Sequence, residues 1–497
     1  MENTNQEPLL SIKDEVQTSS NDNNLRASSF TPDKNDMEPI NGVGDFFRQF
    51  VVETKTSWFL VGSAIFISIC QYSIAAITQV FAGHVGSLEL AAVAIEHSVI
   101  AGIASAILLG LGSALETLCG QAYGAGQVDM LGIHMQRSWI IQNSAAVILC
   151  LLYIFATPLL KLIGQTEAIS EEAGTFALWM IPQLFAYAFN FPISKFLRAQ
   201  RKMMAMALIS AVALIFHTAL SWVLMLKLGW GLVGAAVVLN GSWWFIVIAQ
   251  LLYIFSGACG GAWSGFSTKA FQNLWDFLKL SLSSSVMICL QMWYLTVLLL
   301  AAGYLKNAEV AVDALSVCLN ILGWTVMISL GYNAAISVRV SNELGAAHPR
   351  RAKFAVMVVI ISSLIIAVIL ALLLIIFRRE YPALFSDSSD VQQVVYNLTI
   401  LLALCIVIHN VQPVLGGAAV GAGWQAYVGY VNIGCYYLFG IPLALIMAFC
   451  ASWGVTGIWV GLMSGISLQT LILFLMICRT NWNKEVSIAG DRVKQWG

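Results

Sequence analysis

Glu96 and His97 stand side by side inside a run that is otherwise almost wholly apolar, residues 88–113. An ionisable side chain deep in such a run is costly to bury, so it is a candidate for function by default. The chemistry open to this pair is the uptake and release of a proton. At 1.5 Å per helical residue, eight or nine residues from the start of the run places them ~12–14 Å deep, near the middle of a bilayer. The bland alternative is a structural hydrogen bond between helices. Successive residues point ~100° apart on a helix, so the two cannot both face one partner.

A second polar set occupies the other half of the chain. His409 is the side-chain type that titrates near neutrality, and Asn410 follows it. Gln291 cannot titrate and can only donate and accept hydrogen bonds. Trp293, Tyr294, Tyr436 and Tyr437 can stack on a flat or cationic solute, although Trp and Tyr also anchor membrane interfaces. Gln71, Tyr72, Asn190 and His217 are the remaining candidates for the wall of a solute cavity. Pro192 and Pro413 each remove one helical hydrogen bond and permit bending. The ten cysteines fall mostly in apolar runs, with no metal-ligand spacing. No nucleophile–base constellation or phosphate loop appears, so neither an enzyme nor a cofactor is expected.

These residues must be held by membrane helices. Hydrophobic residues are 59% of the 497 and charged residues only 10%, against ~25% charged in a soluble domain. Twelve apolar runs of about 20 residues follow one another, from 58–80 to 455–478. Only helices or closed barrels satisfy the backbone in lipid, and runs of this length without alternation select helices. Seventeen Lys and Arg fall on the side that holds both termini and five on the other, beyond the first 45 residues. That split puts both termini in the cytosol. A net charge of −1 gives no reason to expect nucleic acid as a partner.

The chain repeats itself. Gly124-Ala125 and Gly345-Ala346 stand 221 residues apart, as do Pro192 and Pro413. Trp230-Gly231 and Trp453-Gly454 stand 223 apart. Six spans per half is an even number, so the halves share one orientation, as parallel transporter repeats do. The expected organisation is a disordered cytosolic tail over 1–45, an N-terminal lobe over 46–255 and a cytosolic connector over 256–276. A C-terminal lobe over 277–478 and a cytosolic tail over 479–497 complete it. Near the first boundary, Gly44–Ser57 reads as an amphipathic entry segment.

Several strings resemble a known family: Gly83-His-Val-Gly86, Glu116-Thr-Leu-Cys-Gly-Gln121, Val338-Arg-Val-Ser-Asn-Glu-Leu-Gly345 and Tyr430-Val-Asn-Ile-Gly-Cys-Tyr-Tyr437. The chain is similar over about 45–490 to the multidrug and toxic compound extrusion (MATE) transporters, in their plant DETOXIFICATION branch. The resemblance implies an all-α polytopic membrane protein with twelve transmembrane helices in two six-helix lobes arranged in a V. It implies proton-coupled antiport of organic solutes: secondary metabolites such as flavonoids, organic cations or xenobiotics. The partners implied are the small-molecule solute, H+ as coupling ion and the lipid bilayer, for a protein acting as a monomer.

One departure matters. Many plant members carry Glu where Gln291 stands, and Asp or Asn where His409 stands. Three readings stay open. Coupling lies with His409, or it lies with Glu96 in the other lobe. Alternatively it is weakened, and the chain is an anion uniporter or channel-like member for chloride or organic anions. The acidic-dileucine-like string Glu7-Pro-Leu-Leu10 places the vacuolar membrane ahead of the plasma membrane.

Overall fold

The computed structural model describes residues 36–302, 308–386 and 388–496. The tail with its Glu7–Leu10 string lies outside the described residues, apart from residues 36–45. Among the described residues, twelve helices are long and apolar enough to cross a membrane. We number them α1 (Val43–Val85), α2 (Ser87–Gly124), α3 (Asp129–Ile154), α4 (Glu167–Ala199), α5 (Met203–Lys227) and α6 (Gly231–Ala258) in the first lobe. The second lobe holds α7 (Leu274–Leu298), α8 (Asp313–Gly345), α9 (Pro349–Ile376), α10 (Ser389–Ala422), α11 (Gln425–Cys450) and α12 (Val455–Arg479). A further helix, α13 (Trp482–Trp496), follows.

Two sequence expectations are refined. Gly44–Ser57 is no separate entry segment, because α1 runs unbroken from Val43 through the span. No glycine or proline interrupts residues 45–61, so the helix continues beyond the apolar stretch. The C-terminal tail is largely helical, since most of it forms α13. Its Trp482, Ala489, Val493 and Trp496 recur on one face and are buried.

The apolar core shows how the lobes meet. One cluster fills the first lobe and continues into the ends of α8, α9 and α12 that carry basic residues and the adjoining end of α10, through Tyr332–Leu344, Ala352–Val359, Val414–Ala422 and Leu473. A second, separate cluster fills the opposite half of the second lobe, around Tyr294, Leu315, Leu402 and Trp459. The lobes therefore share a core at the basic end and have separate cores at the other.

Small residues make that junction. A side-chain carbon at Gly124 would overlap the Asn342 carbonyl, and one at Gly345 would overlap the Gln121 carbonyl. Gly110 abuts the Ser285 backbone on α7, and Gly331 abuts Ile65 on α1. Such close backbone approach is open to glycine alone. Polar bonds reinforce it. Gln425 donates to Thr117 Oγ1 (2.8 Å), and Gln121 donates to the Gly421 carbonyl (3.3 Å). Arg339 of α8 grips Glu53 of α1 through Nε–Oε1 (2.9 Å) and Nη2–Oε2 (3.0 Å). Arg339 also pairs with Glu343, to which His348 is bonded.

The connector is tied to the first lobe. Gln136 donates to the Gly265 carbonyl (3.0 Å) and accepts from the Ser267 backbone N–H (2.9 Å). Arg137 donates to the Lys269 carbonyl (3.3 Å). Cys259 is buried within this connector, and burial pushes its thiol pKa up to about 11.

Candidate functional site

The first lobe contains a partly open cavity walled by four of its helices. Helix α1 contributes Gln71, Tyr72, Thr78 and Gln79 to its wall, and α2 contributes Val93, Glu96 and His97. Phe176, Met180, Gln183 and Tyr187 come from α4, and Leu239 and Trp243 from α6. The wall is thus aromatic and amide-bearing, with one carboxyl group.

Glu96 is positioned by a local irregularity. From Glu96 to Ile100 the helix widens into a π-turn before the regular helix resumes at Ala101. Such single wide turns recur at functional sites, because they re-aim side chains and loosen the backbone ladder. Glu96 is 2% exposed, and its Oε1 has no hydrogen-bond partner among the described residues. A charged carboxylate there would lack the donors that normally offset its desolvation. The carboxyl group can therefore hold a proton, or take a donor or cation supplied from the cavity. His97 borders the same cavity and is more exposed. The ~100° rule for a regular helix did not anticipate that both neighbours would reach it.

Gln71 and Tyr72 join this cavity. Tyr72 also meets Trp324 of α8 edge-on at 4.9 Å, so one wall residue touches the second lobe. Gln183, Tyr187 and Trp243 were not singled out from sequence. Tyr187 and Trp243 pack edge to face at 4.7 Å, and Gln183 follows Pro182 inside α4. A glutamine beside a proline in an apolar run was the available signal.

The other candidates lie elsewhere. His217 is fully buried, and its two ring nitrogens are bonded to Thr78 Oγ1 (3.0 Å) and Ser242 Oγ (2.9 Å). Asn190 is buried and accepts from Ser194 Oγ (3.5 Å). Tyr294 and Tyr436 stack at 4.4 Å within the second lobe's core, and Tyr294 donates to the backbone of α12. Tyr437 donates to the Leu290 carbonyl (3.0 Å). Trp293, one residue before Tyr294, is 47% exposed.

Gln291 donates to Gln412 Oε1 (3.3 Å), linking α7 to α10. Asn410 donates to the Ile406 carbonyl of its own helix (2.8 Å). His409 is buried and its Nδ1 has no partner among the described residues. Pro192 lies inside α4 and Pro413 inside α10. Pro413 has no N–H to offer the carbonyl of His409 one turn back, and its own carbonyl accepts from Asn333 (2.7 Å). No cluster of His, Cys, Asp and Glu among the described residues could hold a metal.

The profile of the MatE family matches this chain twice, at residues 63–223 and 284–446. The two matches start 221 residues apart, the spacing of the paired glycines and prolines. The chain belongs to the MatE family. Among curated relatives, Protein DETOXIFICATION 29 of Arabidopsis thaliana is 60% identical over 93% of this chain and 92% of the relative. Protein DETOXIFICATION 31 of the same plant is 58% identical over 94% and 90%. The crystal structure of the eukaryotic MATE transporter AtDTX14 superposes with a TM-score of 0.85 at 34% identity, covering 89% of this chain and 99% of that one. The Vibrio cholerae MATE transporter VcmN in its bent form shares the fold at 18% identity, with a TM-score of 0.74, over 90% and 99%. This MatE member is accordingly a multi-pass integral membrane transporter of small molecules, with twelve helices in two lobes.

Proposed function

We propose that this MatE transporter exports organic solutes by alternating access and couples that export to protons through Glu96. The observation that carries the reading is the Glu96 carboxyl group itself, which borders a cavity while one oxygen lacks a partner among the described residues. Protonated, the group is neutral and suits its apolar surroundings. Deprotonated, it attracts a solute that brings a cation or a hydrogen-bond donor. Proton and solute then compete for one site, which is the requirement for antiport. The aromatic wall of Tyr72, Phe176, Tyr187 and Trp243 suits a flat or cationic solute. His97 modulates the site from its more exposed position. The names of the DETOXIFICATION relatives favour export of unwanted or secondary metabolites, and the tail's Glu7–Leu10 string favours the vacuolar membrane. We take the protein to act as a monomer.

The test is uptake of a fluorescent aromatic cation into inside-acid vesicles. Uptake should collapse when an ionophore removes the pH gradient, and Glu96→Gln should behave like the collapsed wild type. Uptake that persists after the ionophore would sink proton coupling.

A second reading has one observation behind it. The described membrane interior of the second lobe holds no carboxylate, and Gln291 is bonded to Gln412 there. A lobe of that kind repels anions less than an acidic one. An anion uniporter would show chloride or organic-anion currents that Glu96→Gln leaves unchanged, and silence under all anion gradients would count against it.

A further inference from the structure

Helix α13 crosses from one lobe to the other. At its start, Glu485 accepts a hydrogen bond from Trp424 Nε1 (3.0 Å), and the rings of Trp482 and Trp424 lie 6.2 Å apart. Both contacts belong to the second lobe. Further along, Arg492 Nη1 donates to Gln121 Oε1 of α2 (3.0 Å) and lies 3.4 Å from the Ala422 carbonyl at the end of α10. One guanidinium nitrogen thus touches both lobes. The group lies over Gly423, whose φ of 85° caps α10, and where a side-chain carbon would come within 2.6 Å of Nη1. At the far end the Trp496 ring meets Arg137 (5.6 Å) and His134 (6.3 Å) of α3, and Phe277 (6.1 Å) of α7.

We propose that α13 is a strap that fastens the two lobes at the basic end, with Arg492 as its fastener. Each time the lobes part there, the Arg492–Gln121 bond must open. The strap rides with the second lobe, because Trp424, Ala422 and the glycine seat under Arg492 all belong to it. The contacts to be released are those to Gln121, Arg137 and His134. Gln121 is the natural point of release, since it also donates to Gly421 across the same junction (3.3 Å). Arg492 touches no solute and acts through Gln121, so it is a positioning residue for the alternation. The proposal rests on the alternating-access reading above.

The test uses the full-length protein in lipid nanodiscs, without solute. Two reporter cysteines are labelled with a maleimide and read by peptide mass spectrometry, so the native cysteines can stay. Ser341→Cys probes the basic-end junction, where Ser341 is buried against Gly120 of α2. Asn320→Cys probes the opposite half: Asn320 is exposed one turn from Trp324, which meets Tyr72 across the lobes. Arg492→Ala should raise the labelling rate at Ser341→Cys about tenfold, the effect of losing ~1.4 kcal/mol from one side of a two-state equilibrium. It should lower the rate at Asn320→Cys, and Arg492→Lys should restore much of both.

A Ser341→Cys rate within about twofold of the parent, or a rise at both reporters, would overturn the proposal. The second outcome is what a merely loosened fold gives. Should Arg492→Ala fail to accumulate, Gln121→Met breaks the same bond from the other lobe. The same opposite changes are then expected, and their absence would be equally fatal. Because the readout needs no solute, it stands whether or not proton-coupled export is found.

Discussion

Gly124 of α2 and Gly345 of α8, 221 residues apart in the chain, lie against one another's helices at a single crossing. Each fills the place where its partner helix brings a backbone carbonyl, Asn342 for Gly124 and Gln121 for Gly345. Gln121 and Asn342 are themselves 221 residues apart, so the repeat is an axis of the junction as well as a pattern in the sequence. The lobes touch through equivalent residues, as two related halves that rock against each other would.

Gly124→Ala and Gly345→Ala should each destabilise the protein by about 1–3 kcal/mol through overpacking, and should raise labelling of Ser341→Cys from the basic side. Gly241→Ala in α6, where an added carbon meets nothing within 4 Å, should be neutral or slightly stabilising. Thermal unfolding of the three variants in detergent checks this, and equal loss at all three positions would refute the crossing as its cause.

Glu53 and Arg339 form the second inter-lobe tie. Both are buried, and the two-point geometry leaves Arg339 under-compensated if Glu53 is removed. Glu53→Ala should cost about 3 kcal/mol. Replacing Arg339 by Met in the same chain should recover part of that loss, which a double-mutant cycle on the melting free energies would report as coupling. Strict additivity would contradict a direct pairing.

His217→Ala should remove two buried hydrogen bonds, to Thr78 and Ser242, and lower stability by about 2 kcal/mol. The pH profile of transport should stay in place, since the ring stands behind the cavity wall. A shifted profile with unchanged stability would give His217 a role in coupling instead.

Cys259 offers a pH test outside the membrane interior. Burial disfavours its thiolate, so with a pKa raised to about 11 the contribution to folded-state stability is fully present below the ordinary thiol value near 9 and is lost as pH rises from there through 11. Alkylation of Cys259 by iodoacetamide near neutral pH should be negligible and should rise only toward pH 11. Peptide mass spectrometry reads it directly, and rapid labelling at neutral pH would contradict the buried placement.

Much of this was legible in the sequence because its physics is local. Apolar runs long enough for a bilayer marked the twelve helices. The pairs Gly124/Gly345 and Pro192/Pro413 disclosed the repeat, and the depth of Glu96 in an apolar run marked it as a candidate. What escaped depends on packing between distant segments. Glu53 and Arg339 are 286 residues apart, and nothing around either announces the other. Tyr294 and Tyr436 looked available for solute stacking because composition cannot tell a cavity wall from a core. The sequence showed residues 479–497 only as a tail; the helix that buries Trp482, Ala489, Val493 and Trp496 against two lobes depends on partners far away in the chain. The π-turn at Glu96 leaves no mark in residue type, so the shared reach of Glu96 and His97 could not be read.

The decisive measurement is uptake of the fluorescent aromatic cation into inside-acid proteoliposomes by wild type and Glu96→Gln, with the pH gradient imposed and then collapsed. Wild-type uptake should fall to background on collapse, and Glu96→Gln should show at least about a tenfold loss of gradient-driven uptake while keeping its folded melting transition. Gradient-driven uptake by Glu96→Gln at the wild-type rate would place the coupling elsewhere and contradict the account.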